Sequence, residues 1–172
     1  MTREVAAPRL THHPIYELTM TLLMTPDKAN FSGKVHGGAM LKHLDEVAYA
    51  CAARYCGGYA VTMSVDQVSF DRPIHVGELV TFLASVNFTG RTSMEVGIKV
   101  VAEEVSRRAC RHAMTCYFTM VAVDEAGRPT EVPPLLPATP AAVRRFEAAK
   151  RRRKLRAEIL ARQEKIKHLT GN

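Results

Sequence analysis

A chain of 172 residues with 47% hydrophobic and 24% charged residues has enough apolar material for one domain with a real core, which excludes a disordered polymer. No apolar run approaches the ~20 residues of a membrane helix, and the opening Met1-Thr2-Arg3-Glu4-Val5 lacks the apolar stretch of a secretory signal, so a cytoplasmic location is expected. The net charge of +7 belongs to the tail: residues 141–172 hold 11 Lys and Arg against 3 Asp and Glu, and the rest hold 13 against 14, so the pI says little about what the body binds.

In chain order, residues 1–14 show no periodicity and read as a flexible arm. Residues 15–125 read as the folded domain. Tyr16 to Met24 is a candidate first strand, and Thr25 to Val35, with Pro26, Asn30 and Gly33, reads as a loop. Gly37-Gly38 opens a helix in which Met40, Leu41, Leu44, Val47, Ala48, Cys51, Ala52 and Tyr55 keep helical spacing, one wide apolar stripe that needs a large flat partner. Gly57-Gly58 stops it. Four period-2 segments follow: Val61, Met63 and Val65; Val80 through Phe88; Met94 through Ala102; and Met114 through Met120. The connections Arg72 to Gly77, Thr89-Gly90-Arg91 and Glu104 to Arg108 are short, so each successive pair is expected to be antiparallel neighbours. The expected fold is α+β of the hotdog kind, a long central helix wrapped by a five- to six-stranded antiparallel sheet. Its open edges predict dimerisation. Residues 126–140, with Pro129, Pro133, Pro134, Pro137 and Pro140, form a Pro-rich connector. Thr139-Pro140 then starts a basic helix over 141–172 with an apolar stripe at Leu155, Ile159, Ile166 and Leu169. Cys51, Cys56, Cys110 and Cys116 make no C-x-x-C pair and are read as reduced thiols in the core, with no metal site expected.

Four features carry chemistry, each weak alone. Asp45 lies at the edge of the helix stripe, as an awkwardly placed surface acid or a working carboxylate. His36-Gly37-Gly38 places bare backbone at a helix N-terminus, where N–H groups can stabilise negative charge on a carbonyl oxygen; it serves equally as a tight strand-to-helix entry. Asn30 offers a side-chain amide or merely a turn. Arg91-Thr92-Ser93 offers a cation and two hydroxyls between strands, fit for phosphate or for an ordinary hairpin.

Taken together, the run from Asn30 through His36-Gly37-Gly38 to Asp45-Glu46-Val47-Ala48 resembles the active-site segment of the hexameric acyl-CoA thioesterases, hotdog enzymes related to the cytosolic acyl-CoA hydrolases of animals. Val65-Asp66, Phe70 through Val80, Gly90 through Val96, Val121 through Asp124 and Gly127-Arg128-Pro129 are similar to that family too, covering roughly residues 15–145. The resemblance implies hydrolysis of acyl-CoA to free acid and coenzyme A without a separate cofactor. It implies that Asn30 and Asp45, from opposite protomers, are the catalytic pair, with Asp45 as general base or nucleophile. His36, Gly37 and Gly38 would bind substrate, the glycines polarising the thioester carbonyl. Arg91, Thr92 and Ser93 would hold the nucleotide end of coenzyme A. Dimers assembled into trimers are implied. Gln67 departs from the family, where a basic residue often follows the Val-Asp pair. Two other readings stand beside this one: a hydratase-type hotdog enzyme with a catalytic His, and a non-catalytic acyl-CoA-binding module. Lys150 through Lys154 could contact phosphates of a nucleic acid or membrane; the preferred reading is a solvated helix packing its Leu155/Ile159 stripe on another protomer, with no nucleic-acid partner.

Overall fold

The computed structural model describes residues 15–170, with side chains through His168; the expected arm over 1–14 and the Leu169 side chain lie outside the described residues. Five strands form one antiparallel sheet: β1 (Glu17–Leu23), β2 (Tyr59–Val65), β3 (Leu79–Thr89), β4 (Ser93–Glu104) and β5 (Ala109–Val123). Two helices flank it, α1 (Gly37–Cys56) and α2 (Pro140–Thr170). Alternation in β3, β4 and β5 sends Val80, Phe82, Ala84 and Val86, then Met94, Val96, Ile98, Val100 and Ala102, then Met114, Cys116, Phe118 and Met120 into a continuous core. Met40, Leu44, Val47, Ala48, Cys51 and Ala52 of α1 bury against it. Each large side chain fully removed from water contributes about 1.5–3 kcal/mol, which holds α1 in the palm of the sheet. Gly57, at φ 71°, supplies the left-handed backbone that ends the helix.

The strand order is β1-β3-β4-β5-β2, so β2 and β3 are not neighbours, against the expectation from the short Arg72 to Gly77 connection. The chain leaves β2 after Val65 and crosses the sheet through residues 66–78 before β3 begins. A second correction concerns β2 itself. A bulge at Met63 breaks the alternation: Thr62 pairs with Met120 and Val65 with Phe118, so both face inward, whereas Val61 and Met63 do not share their side. β2 is an edge strand with Tyr59, Val61, Met63 and Val65 all exposed.

The outer face of the sheet is polar, and α2 lies across it. Glu95 and Asn87, both buried, face the helix. Arg152 donates to Glu95 Oε1 at 2.6 Å and stacks on the Tyr117 ring at 3.6 Å; Arg156 bridges Glu95 Oε2 (2.7 Å) and Asp66 Oδ2 (2.8 Å). Phe146 packs on Phe88, and Arg145 pairs with Glu17 of β1. The basic helix is therefore tied to its own sheet through arginines, while Leu155, Ile159 and Ile166 stay exposed in the single chain. The Pro-rich connector is anchored too: Val132 and Leu135 are buried, and their N–H groups donate to the Arg91 carbonyl and the Thr89 hydroxyl. Cys51 and Cys116 are buried, and burial pushes both thiols up to about 12. Cys110 is exposed at the start of β5 and Cys56 is half-buried at the end of α1, so only two of the four thiols are core residues.

Candidate active site

Asn30 sits in the loop before α1, and its side chain is held by its own backbone neighbourhood. Asn30 Oδ1 accepts hydrogen bonds from Ser32 N (2.9 Å), Ser32 Oγ (2.8 Å) and Lys34 N (3.1 Å). With the oxygen fully engaged, Nδ2 is the group left to donate, and it has no partner among the described residues. Beside it, Phe31 is fully exposed at the loop tip. The loop is pinned by a Val35 N–H bond to the Ile74 carbonyl (2.9 Å). That segment is fixed in turn by buried Glu78, which takes a bidentate pair of bonds from Arg111 (2.6 and 2.7 Å) and one from His75 N (2.9 Å). Burial alone would raise the Glu78 carboxyl; the Arg111 hydrogen bonds, the His75 N–H and the charge of Arg111 outweigh it and hold the group below its ordinary value.

His36 caps α1: its Nδ1 accepts the Gly38 N–H at 2.9 Å. The N–H of Gly38 is thus engaged by the chain itself, and the Gly37 N–H is the first helix donor without such a bond. Asn30 and Gly37 line one cleft of about 350 Å³, together with Met40, Phe70, Arg72 and Ile74. Two donors at the positive end of a helix suit a carbonyl oxygen that gains negative charge.

Asp45 lies elsewhere. It is two turns, about 12 Å, along α1 from Gly37, on a stripe with Leu41 and Tyr49 that is exposed in the single chain rather than half-buried. Thr62 Oγ1 of β2 donates to Asp45 Oδ1 at 2.6 Å and fixes the exposed carboxylate, whose Oδ2 has no hydrogen-bond partner among the described residues. Asp45 does not line the Asn30 cleft. The structure therefore joins Asn30 to Gly37 and Asp45 to Thr62, and keeps these two halves apart in one chain. Thr62 is absent from the sequence reading because alternation assigns it to the solvent side of β2; only the bulge at Met63 makes the inward direction visible.

Arg91, Thr92 and Ser93 form the β3–β4 turn, where Gly90 N donates to the Ser93 carbonyl (2.7 Å). Arg91 is exposed and makes no ion pair among the described residues. No group of His, Cys, Asp and Glu suited to a metal ion occurs among the described residues.

One long helix cradled by a five-stranded antiparallel sheet, with a glycine-opened helix N-terminus facing a cleft, defines the class of hotdog-fold proteins. Residues 32–109 match the family described as the thioesterase superfamily. Over 140 residues the chain is 51% identical to protein VdlD of Helicobacter pylori, covering 81% of this chain and 80% of that one. The cytosolic acyl coenzyme A thioester hydrolase of Rattus norvegicus is 38% identical over 133 residues, 76% of this chain and 35% of the rat protein. Among solved structures, an apo hexameric acyl-CoA thioesterase superposes with a TM-score of 0.82 at 33% identity, covering 87% of this chain and 97% of its own. An acyl-CoA hydrolase from Staphylococcus aureus, solved with butyryl coenzyme A and coenzyme A, gives 0.80 at 27% identity, covering 91% and 96%. The chain belongs to the hotdog acyl-CoA thioesterases. The S. aureus enzyme has also been solved with an Asn, an Asp and a Thr each replaced by Ala, at positions 15 and 17 residues apart in succession. Asn30, Asp45 and Thr62 have the same spacing.

Proposed function

We propose that the chain hydrolyses acyl-CoA at sites shared between two protomers, with Asp45 and Thr62 from one and Asn30 with Gly37 from the other. The observation that carries this reading is the hydrogen bond from Thr62 to Asp45 at the open β2 edge, facing away from the cleft that holds its own Asn30. The exposed apolar side chains of the β2 edge, Tyr59, Val61, Met63 and Val65, with Leu41 and Tyr49 of α1, favour burial against a second copy along that edge. Such a seam surrounds Asp45 with the partner's residues. The hexameric relative supports three such dimers as the assembly.

Asp45 Oδ2 takes a proton from a water as the water oxygen attacks the thioester carbonyl carbon. The carbonyl oxygen, now negative, receives Asn30 Nδ2 and the Gly37 N–H. The C–S bond then breaks, and the proton held by Asp45 passes to the departing sulfur, giving the free acid and the coenzyme A thiol. Arg91, Thr92 and Ser93 hold the nucleotide end, and these steps use only protein groups and water. The α1 position of His36, as a helix cap rather than a partner of an acid, counts against a hydratase-type site. The cytosolic relatives, and the lack of a helix apolar and long enough to span a membrane among the described residues, favour work in the cytosol.

The test is thiol release from an acyl-CoA series. Asp45→Ala and Asn30→Ala should each lose about 10³-fold or more in kcat with unchanged folding, and Thr62→Val about tenfold, the worth of one hydrogen bond to a charged group. Co-expressing the Asp45→Ala and Asn30→Ala chains should restore turnover, because mixed dimers keep one complete site. Mixed dimers as inactive as the parents would refute the shared site, and single-turnover label from heavy-oxygen water found in Asp45 would refute its role as base.

A further inference from the structure

α2 lies beyond the residues matched by the thioesterase superfamily, and its arginines divide into two groups. Arg152 and Arg156, four apart and on one face, are neutralised by Glu95 and Asp66. Arg153, one position and ~100° further round, leaves that face and lies over the Phe88 ring, 5.1 Å from its centroid. No carboxylate among the described residues pairs with it. A cation that stacks on an aromatic ring keeps its in-plane N–H groups free for an anion.

The neighbour of that guanidinium is the β3–β4 turn. Gly90 presents bare backbone to it: a Cβ at Gly90 would lie 2.9 Å from Ser93 Oγ and 3.1 and 3.5 Å from the two terminal nitrogens of Arg153. Glycine thus lets the turn backbone, the Ser93 hydroxyl and the Arg153 guanidinium converge at van der Waals contact, closer than any side chain at position 90 would allow. Arg91 adds a second unpaired cation to the same turn. A cleft of about 230 Å³ beside it is lined by Phe88, Ser93, Arg153, Arg156, Met63 and Glu95, whose carboxylate is taken up by Arg152 and Arg156. The turn and the helix are held together through the Phe88–Phe146 contact and the Glu95 ion network, so the hydroxyl and the guanidinium are held side by side.

We infer that Arg153 of α2 closes a phosphate clamp with Ser93 and Arg91, and that this clamp grips a phosphate at the nucleotide end of the coenzyme A substrate. The inference rests on the thioesterase reading for its ligand and deepens it by giving the C-terminal helix a part in substrate recognition. The clamp is a binding device remote from the thioester, so it acts on affinity for the nucleotide and not on the bond that breaks.

The test compares wild type, Arg153→Ala and Arg153→Lys in the full chain. Calorimetry with coenzyme A should show Kd about tenfold higher in the Ala variant and an intermediate value in the Lys variant, which keeps the charge and loses the fork. With butyryl-CoA the Ala variant should raise KM and leave kcat nearly unchanged. The ratio of kcat/KM for butyryl-CoA to that for butyryl-N-acetylcysteamine, which has no phosphate, should fall about tenfold. Repeating the titration with dephospho-coenzyme A assigns the phosphate: a surviving difference between wild type and variant means the diphosphate is gripped, and a vanished one means the 3′-phosphate. Equal losses on both thioesters, or an unchanged Kd for coenzyme A, would overturn the clamp. Because the calorimetry needs no turnover, it decides the clamp even if the hydrolysis reading fails, and inert Asp45→Ala with normal coenzyme A binding separates the two.

Discussion

The two faces of the sheet are covered by helices held in opposite ways. Under α1 the buried contact is apolar: Leu44, Val47 and Ala48 share one core cluster with Phe82, Val96 and Phe118, and the polar contact of Asp45 with Thr62 lies at its exposed edge. Under α2 the contact is built from Glu95, Asn87 and Ser85 below and Arg152 and Arg156 above. An apolar interface gains stability from area and tolerates small geometric error; a buried ion network gains little net stability and demands that every charge be matched. The difference separates an apolar scaffold from an ion-matched outer layer. On the proposed mechanism the inner helix has to be immobile because it carries Asp45 and Gly37, whereas the outer helix presents cations and needs only a fixed orientation.

The strongest way to break this contrast is to open the inner face. Leu44→Ala removes a fully buried side chain between helix and sheet and should cost about 3–5 kcal/mol, read as a lower midpoint in a single cooperative denaturant transition. The outer face should respond differently. Glu95→Gln leaves Arg152 and Arg156 without their shared carboxylate and should cost about 1.5–3 kcal/mol, concentrated in α2. Hydrogen exchange should then quicken over residues 140–157 while α1 stays protected. Uniform loss of protection across both helices would show that the two faces melt as one unit.

Legibility in the sequence follows the same division. The inner face was written in periodicities: the α1 stripe and the alternation of β3, β4 and β5 are repeated apolar signals, and the hotdog architecture follows from them. Leu41 is the exception within the stripe, exposed because it stands on the seam side of α1. The edge strand was misread because one extra residue at Met63 reverses which side chains point inward, and a bulge leaves no compositional mark. The same slip hid Thr62, the partner of Asp45. The outer face was illegible for another reason: a pairing such as Glu95 with Arg152, 57 positions apart, has no local pattern, and a basic helix looks the same whether solvated or docked. Asn30, Gly37 and Asp45 were legible only as a spaced set, since a loop amide, a helix-opening glycine and an edge acid each have commoner uses.

The smallest effect is the one that ties the active-site loop to pH. Glu78 belongs to neither helix interface; it braces the segment that receives the Val35 N–H and so positions Asn30. Its carboxyl is depressed in the folded chain, against an unfolded value near 4.5. The sign follows: the folded state holds fewer protons on this group than the unfolded state does, so its stabilisation is complete above pH 4.5 and is lost as pH falls through the lower folded value. Each unit of depression is worth about 1.4 kcal/mol. Denaturation followed from neutral pH downward should show wild type losing stability below 4.5, and Glu78→Gln, which keeps the shape but cannot ionise, should lose that part of the slope while starting less stable at neutral pH. A variant whose acid slope matched wild type would mean that Arg111 and Glu78 do not brace this loop as a charged pair. Among the described residues the only titratable side chains buried under α1 are the thiols of Cys51 and Cys116, pushed far above the acid range, so Leu44→Ala should shift the whole stability curve without changing its acid slope, which distinguishes the brace from the core.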